Sequence, residues 1–85
     1  MIMANITLGC DIDYAIALKI KKTSSSFANT DVAIFYAEKL VSANNLLNLL
    51  ALAAKNGTPC VLIASGTLES QAVNQLTPLL AAPKS

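Results

Sequence analysis

Two acids, Asp11 and Asp13, stand two positions apart at the start of an amphipathic segment, beside one of the chain's two cysteines, Cys10. Either carboxylate can cap a helix there, accepting bonds from its free amides and complementing the positive end of its dipole. A reactive role is a stronger demand. An aspartyl acyl phosphate usually needs clustered acids with a divalent metal and a lysine, and no lysine precedes Lys19. Cys10 and Cys60 are too few for a disulfide framework and, with no histidine anywhere in the chain, too few for a zinc site. They read as small buried hydrophobes. There is no nucleophile–base pair, glycine-rich phosphate loop or metal constellation, so the sequence does not read as an enzyme, and no cofactor or metal is expected.

Composition narrows the class further. Eighty-five residues make a single domain over 1–85, and a hydrophobic fraction of 54% can fill a core without disulfide or metal support. Charged residues are only 13%, which argues against disorder and leaves the surface short of solubilising charge. A dimer or a partner surface is one expected consequence. The net charge of +1 is too weak for a nucleic-acid footprint, and Lys19, Lys21 and Lys22 read as a solvated helix face. No basic stretch followed by an apolar one marks a signal peptide. The longest apolar stretch, 46–54, is far below the ~20 residues of a membrane span. A reduced cytoplasmic setting is the default expectation.

The acids must be positioned by the elements around them. Residues 4–8 alternate as a first strand ended by Gly9. Ile12, Ile16, Ile20, Thr23 and Phe27 recur at helical spacing, and the run Thr23 to Ser26 weakens that helix towards its end. Residues 31–36 read as a strand with Val32, Ile34 and Tyr36 on one face, returning through Ala37 and Glu38 to a strand at 39–41. Ser42 is the expected N-cap of a second helix bearing Leu46, Leu47, Leu49 and Leu50, ended by a left-handed turn at Asn56-Gly57. Residues 59–65 read as a strand apolar throughout. Thr67 is expected to cap a third helix running to Leu80, with Pro78 kinking or fraying its last turn and 81–85 as a tail. The order βαββαβα, with helices on one face of an antiparallel sheet, is an α+β two-layer sandwich; a ferredoxin-like βαββαβ arrangement is the nearest alternative.

Four segments also follow the order and spacing of one family. They are Gly9-Cys10-Asp11-Ile12-Asp13-Tyr14-Ala15-Ile16-Ala17, Ser42-Ala43-Asn44-Asn45-Leu46-Leu47, Lys55-Asn56-Gly57-Thr58 and Ala64-Ser65-Gly66. From about Asn5 to Leu80 the chain resembles HPr, the histidine-containing phosphocarrier of the bacterial sugar phosphotransferase system. The resemblance implies an open-faced sandwich whose four strands are ordered 1-4-2-3, with three helices on one face. It also implies that Cys10 and Cys60 lie near one end of adjacent strands.

In that family a histidine at the start of the first helix takes a phosphoryl group from enzyme I, helped by the helix N-terminus and a nearby arginine. Imidazole suits the role because it titrates near neutral pH and is nucleophilic. The matching positions here are Asp13 for the histidine, Ala15 for the arginine and Ile16 for the following proline. A shift of one residue would put Ile12 at the nucleophile, and neither choice restores histidine. Asp13 has three readings: a cap, a permanent charge partly imitating phosphohistidine, and an acyl phosphate site. The family's regulatory serine at the second helix matches Asn45, which has no phosphorylatable oxygen.

What the resemblance leaves is a docking face on the first two helices, here Ile12, Tyr14, Leu18, Lys22, Leu46, Leu47 and Leu50. The leucines point in several directions, so some are expected at the surface. The expected role is a non-catalytic protein that binds partners of the phosphotransferase or carbon-regulation type, such as enzyme I or a regulator. The alternatives are a phosphocarrier using an acid, and a homodimeric or larger structural module reusing the fold.

Overall fold

The computed structural model describes residues 1–81. Its elements are β1 (Ile2–Thr7), α1 (Tyr14–Ser25), β2 (Thr30–Tyr36), β3 (Lys39–Ser42), α2 (Leu46–Ala51), β4 (Pro59–Gly66) and α3 (Glu69–Ala81). The strands form one antiparallel sheet in the order β1-β4-β2-β3, the α+β open-faced sandwich expected above rather than the ferredoxin-like alternative. The expected tail at 82–85 lies outside the described residues.

Period-two alternation decides which side of the sheet is core. Ile6, Val32, Ile34, Cys60, Leu62 and Ala64 point under the helices and are buried. They join Ala17 and Ile20 of α1, Leu49 of α2 and Ala72, Leu76 and Leu80 of α3 in one apolar cluster. Burying these side chains is the main driving force for a domain of this size.

Several local expectations are corrected. The 59–65 strand is not buried on both sides: in β4 Cys60, Leu62 and Ala64 are buried, whereas Val61 and Ile63 are half-exposed on the uncovered face. The cap of α2 is Asn45, not Ser42; the Ser42 hydroxyl instead accepts from the Asn44 amide at 3.2 Å. That helix stops at Ala51, where the chain turns through left-handed Ala53 (φ 51°), well before Gly57. Asn56-Gly57 belongs to the loop that follows, where the Gly57 amide donates to the Leu8 carbonyl at 2.8 Å. The third helix begins at Glu69 because the Leu68 amide is taken by the Thr30 hydroxyl at 2.9 Å. Pro78 lies inside that helix, which continues to Ala81. Phe27 is buried beyond the end of α1 rather than on its face.

The β2–β3 turn forms without glycine or asparagine. Ala37 (φ 52°) and Glu38 (φ 65°) are both left-handed, the geometry whose twist matches a two-residue hairpin.

Candidate functional site: the start of the first two helices

The chain between β1 and α1 is clipped at three points before the helix begins. The Ile12 amide donates to the Ala54 carbonyl at 3.0 Å, Asp11 Oδ1 accepts from the Asn56 amide at 2.7 Å, and the Asp13 amide donates to the Asp11 carbonyl at 3.0 Å. Asp13 then takes an extended conformation (φ −91°, ψ −174°) as the N-cap of α1, and its Oδ1 accepts from the Ile16 amide at 3.0 Å. The two acids therefore do different jobs. Asp11 ties the loop before α1 to the loop before β4, and Asp13 closes the helix end.

The surroundings of Asp13 hold no cation in the helix's first turn. Tyr14 and Ala15 are exposed, and a methyl group stands at Ala15 where a charged side chain would be needed to steady a phosphate. Lys19 and Lys22 are further along α1 and exposed. No group of three or more His, Cys, Asp or Glu side chains able to hold a metal comes together among the described residues.

The second helix repeats the capping arrangement with a neutral side chain. Asn45 is extended (φ −107°, ψ 102°), and its Oδ1 accepts from the Asn48 amide at 3.0 Å. Its oxygen is thus committed to the helix end.

The proposed contact residues separate by burial. Tyr14, at 60% exposure, and Leu47, at 77%, stand out from the surface, and Lys22 is exposed. Leu18, Leu46 and Leu50 are half-buried. Ile12 is a correction: it is 4% exposed and belongs to the core, because the bond of its amide to Ala54 turns this stretch inward. Leu49, the remaining leucine of the run, is fully buried.

One residue that matters here has no distinct mark in the sequence. Ser24 sits in a serine run and reads as a helix weakener, yet it is 1% exposed. Its hydroxyl lies 2.8 Å from Asn44 Oδ1 and 3.1 Å from the carbonyls of Ala43 and Lys21. With a single proton it donates to one of these at a time. Ser25 adds a second hydroxyl 2.8 Å from the same Asn44 oxygen. The serines thus latch the end of α1 to the segment that starts α2. Pairing Ser24 with Asn44 would have needed the fold.

Both cysteines are free and buried. Cys10 Sγ points at the Leu79 carbonyl, 3.8 Å away, and burial pushes the Cys60 thiol up from its ordinary value. Neither has the electropositive, accessible surroundings of a reactive thiolate. No helix among the described residues is long and apolar enough to cross a membrane.

Comparison with known proteins agrees with this architecture. The family model described as the PTS HPr component phosphorylation site matches residues 4–82. A search of curated proteins by sequence finds no match. Among solved structures, HPr-C-His from Thermoanaerobacter tengcongensis superposes with a TM-score of 0.86 at 22% identity, over 94% of this chain and 91% of that one. The phosphocarrier protein HPr from Bacillus anthracis gives 0.86 at 16% identity, over 93% and 95%. The Bacillus subtilis catabolite repression protein Crh, described as a swapped, intertwined dimer, gives 0.73 at 27% identity, over 87% and 82%. A match spanning nearly the whole sequence, on a sheet ordered β1-β4-β2-β3, means that this chain belongs to the HPr family of the phosphotransferase system.

Proposed function

We propose that this HPr-family protein works by binding protein partners and does not carry phosphate. The observation that carries the reading is the identity of the group at the start of α1. It is a carboxylate bonded to the helix's own amide, in a chain that has no histidine at all. A phosphorelay at neutral pH needs a nucleophilic nitrogen or an equivalent group, and a carboxylate committed as a cap, without a metal cluster or a cation in the first turn, is a poor substitute. The second helix offers Asn45, again with no hydroxyl to modify.

The contact face in this reading is carried by Tyr14, Leu18 and Lys22 of α1 and Leu46, Leu47 and Leu50 of α2. Leu47 is the natural anchor, being the most exposed large apolar side chain of these helices. Its partners are cytoplasmic proteins of the phosphotransferase or carbon-regulation type, enzyme I or a regulator, which this chain occupies without phosphate passing.

Calorimetric titration with enzyme I and with an HPr-responsive regulator tests the assignment. Binding to at least one of them is expected, weakened about tenfold or more by Leu47→Lys. Failure of both to bind, or binding indifferent to Leu47, would remove the α1–α2 face from the account.

A further inference from the structure

The uncovered side of the sheet carries a second apolar surface, independent of the helices and of the reading above. The strand register assembles it in two rows. Met3, Ile63, Ala33 and Ser42 lie side by side across all four strands, and Asn5, Val61, Phe35 and Leu40 form the adjacent row. Six of these eight side chains are apolar and none is charged. Met3 is 63% exposed, Leu40 62% and Phe35 40%. Asp31, opposite Ser65, is the nearest acid on this face and stands at its margin. In a chain with so few charges, a sheet face left open to water normally alternates to polar residues; this one does not.

We infer that this face stacks on the same face of a second copy of the chain, giving a weak, face-to-face homodimer. Three features select a second copy as the occupant. First, the area is right for a weak dimer. Four strands about 4.8 Å apart, over four rows about 6.7 Å apart, make a footprint of about 500 Å². Two copies would then bury about 1,000 Å², at the lower end for specific association and short of the ~800 Å² per partner of a stable one. Second, the rows offer no charge by which a charged partner would be recognised, and a net charge of +1 sets up little repulsion between copies. Third, the surface has both projections and a recess. Met3 and Leu40 protrude, while a hollow of about 370 Å³ opens among Asn5, Thr7, Phe35, Pro59 and Val61. A two-fold axis brings the projections of each copy onto the other's surface, as self-complementary interfaces require. The short edge strand β3, flanked by Glu38 and Lys39, disfavours edge-to-edge pairing instead.

Sedimentation equilibrium over about 10 μM to 2 mM tests this, a range set by the affinity that so small an interface supports. A monomer–dimer equilibrium within that range is expected. Leu40→Lys should raise its Kd at least about tenfold, since each substitution acts twice in a symmetric dimer, and Leu47→Lys should leave it unchanged. Leu40 is exposed on an edge strand, so this variant should keep its far-UV circular dichroism. As a readout free of mutation, amide shifts of the unmodified protein on dilution should concentrate at Met3, Ala33, Phe35, Leu40, Val61 and Ile63. A monomer throughout the range would overturn the inference. So would a dimer indifferent to Leu40→Lys, or dilution shifts confined to α1 and α2.

Discussion

Asp13 Oδ1 lies 3.0 Å from the amide of Ile16, so the side chain at the position expected for the family's phosphorylatable histidine is bonded to the helix it precedes. An amide that could face an incoming phosphoryl oxygen is already engaged by the protein's own carboxylate. The residue at this place contributes to stability by a means open to any good capping residue.

Removing the cap should therefore cost stability. Asp13→Ala is expected to destabilise the domain by about 1 kcal/mol, a fall in Tm of about 4–8 °C at this chain length. Asp13→Asn, which keeps an acceptor, should stay within about 0.5 kcal/mol of the unmodified protein. Thermal melts followed by circular dichroism decide it. Equal losses in the two variants would mean that the charge, not the cap, is what counts.

Gly66 closes β4 at φ 143°, a backbone region that side chains avoid. A Cβ there would fall on the Asn29 carbonyl oxygen and come within 2.6 Å of Thr30 Cα. Neither atom can withdraw freely, since Thr30 pairs with Gly66 in the sheet and the Asn29 carbonyl accepts from Thr67. Gly66→Ala should destabilise by about 2–3 kcal/mol in urea unfolding. A loss below about 0.5 kcal/mol would show that this corner relaxes.

Stability should also fall on the acid side through Glu69. Its carboxylate accepts from the Met1 ammonium, 3.0 Å away, and from the Gly66 amide at 3.3 Å. Chiefly the ammonium bond, and then the amide, hold its pKa below the ordinary glutamate value. The unfolded chain then binds this proton more readily than the folded one. The contribution is fully present above the unfolded glutamate pKa of about 4.3 and is lost as pH falls through the lower folded value. Exposure keeps it small. Urea midpoints at pH 6 and pH 3 should converge more for Glu69→Gln than for the unmodified protein; identical pH dependence in both would remove Glu69 from the acid response.

Much of this arrangement is legible in the sequence, because hydrophobic period and turn chemistry act locally. The faces of β2 and α1, the position of the Ala37-Glu38 turn and the lack of histidine all follow from neighbouring residues. The strand order came from the resemblance, since pairing between segments far apart leaves little local trace. The misreadings have a common physical origin in competition between distant partners. Ser42 and Asn45 are both good caps, and the helix's entry geometry selected Asn45. Thr67 lost the start of α3 because Thr30, far away in sequence, bonds the Leu68 amide. The run at 60–63 looks buried on both sides, yet no helix covers Val61 and Ile63. That same blind spot hid the apolar sheet face, which exists only once four strands are in register.

Incubation with enzyme I and labelled phosphoenolpyruvate, under conditions where a histidine-bearing HPr is fully phosphorylated, bears most directly on the central claim. The chain should remain unlabelled while still occupying its partner. A stable label on this protein, released by hydroxylamine and abolished by Asp13→Asn, would contradict that claim and make the carboxylate a phosphate carrier.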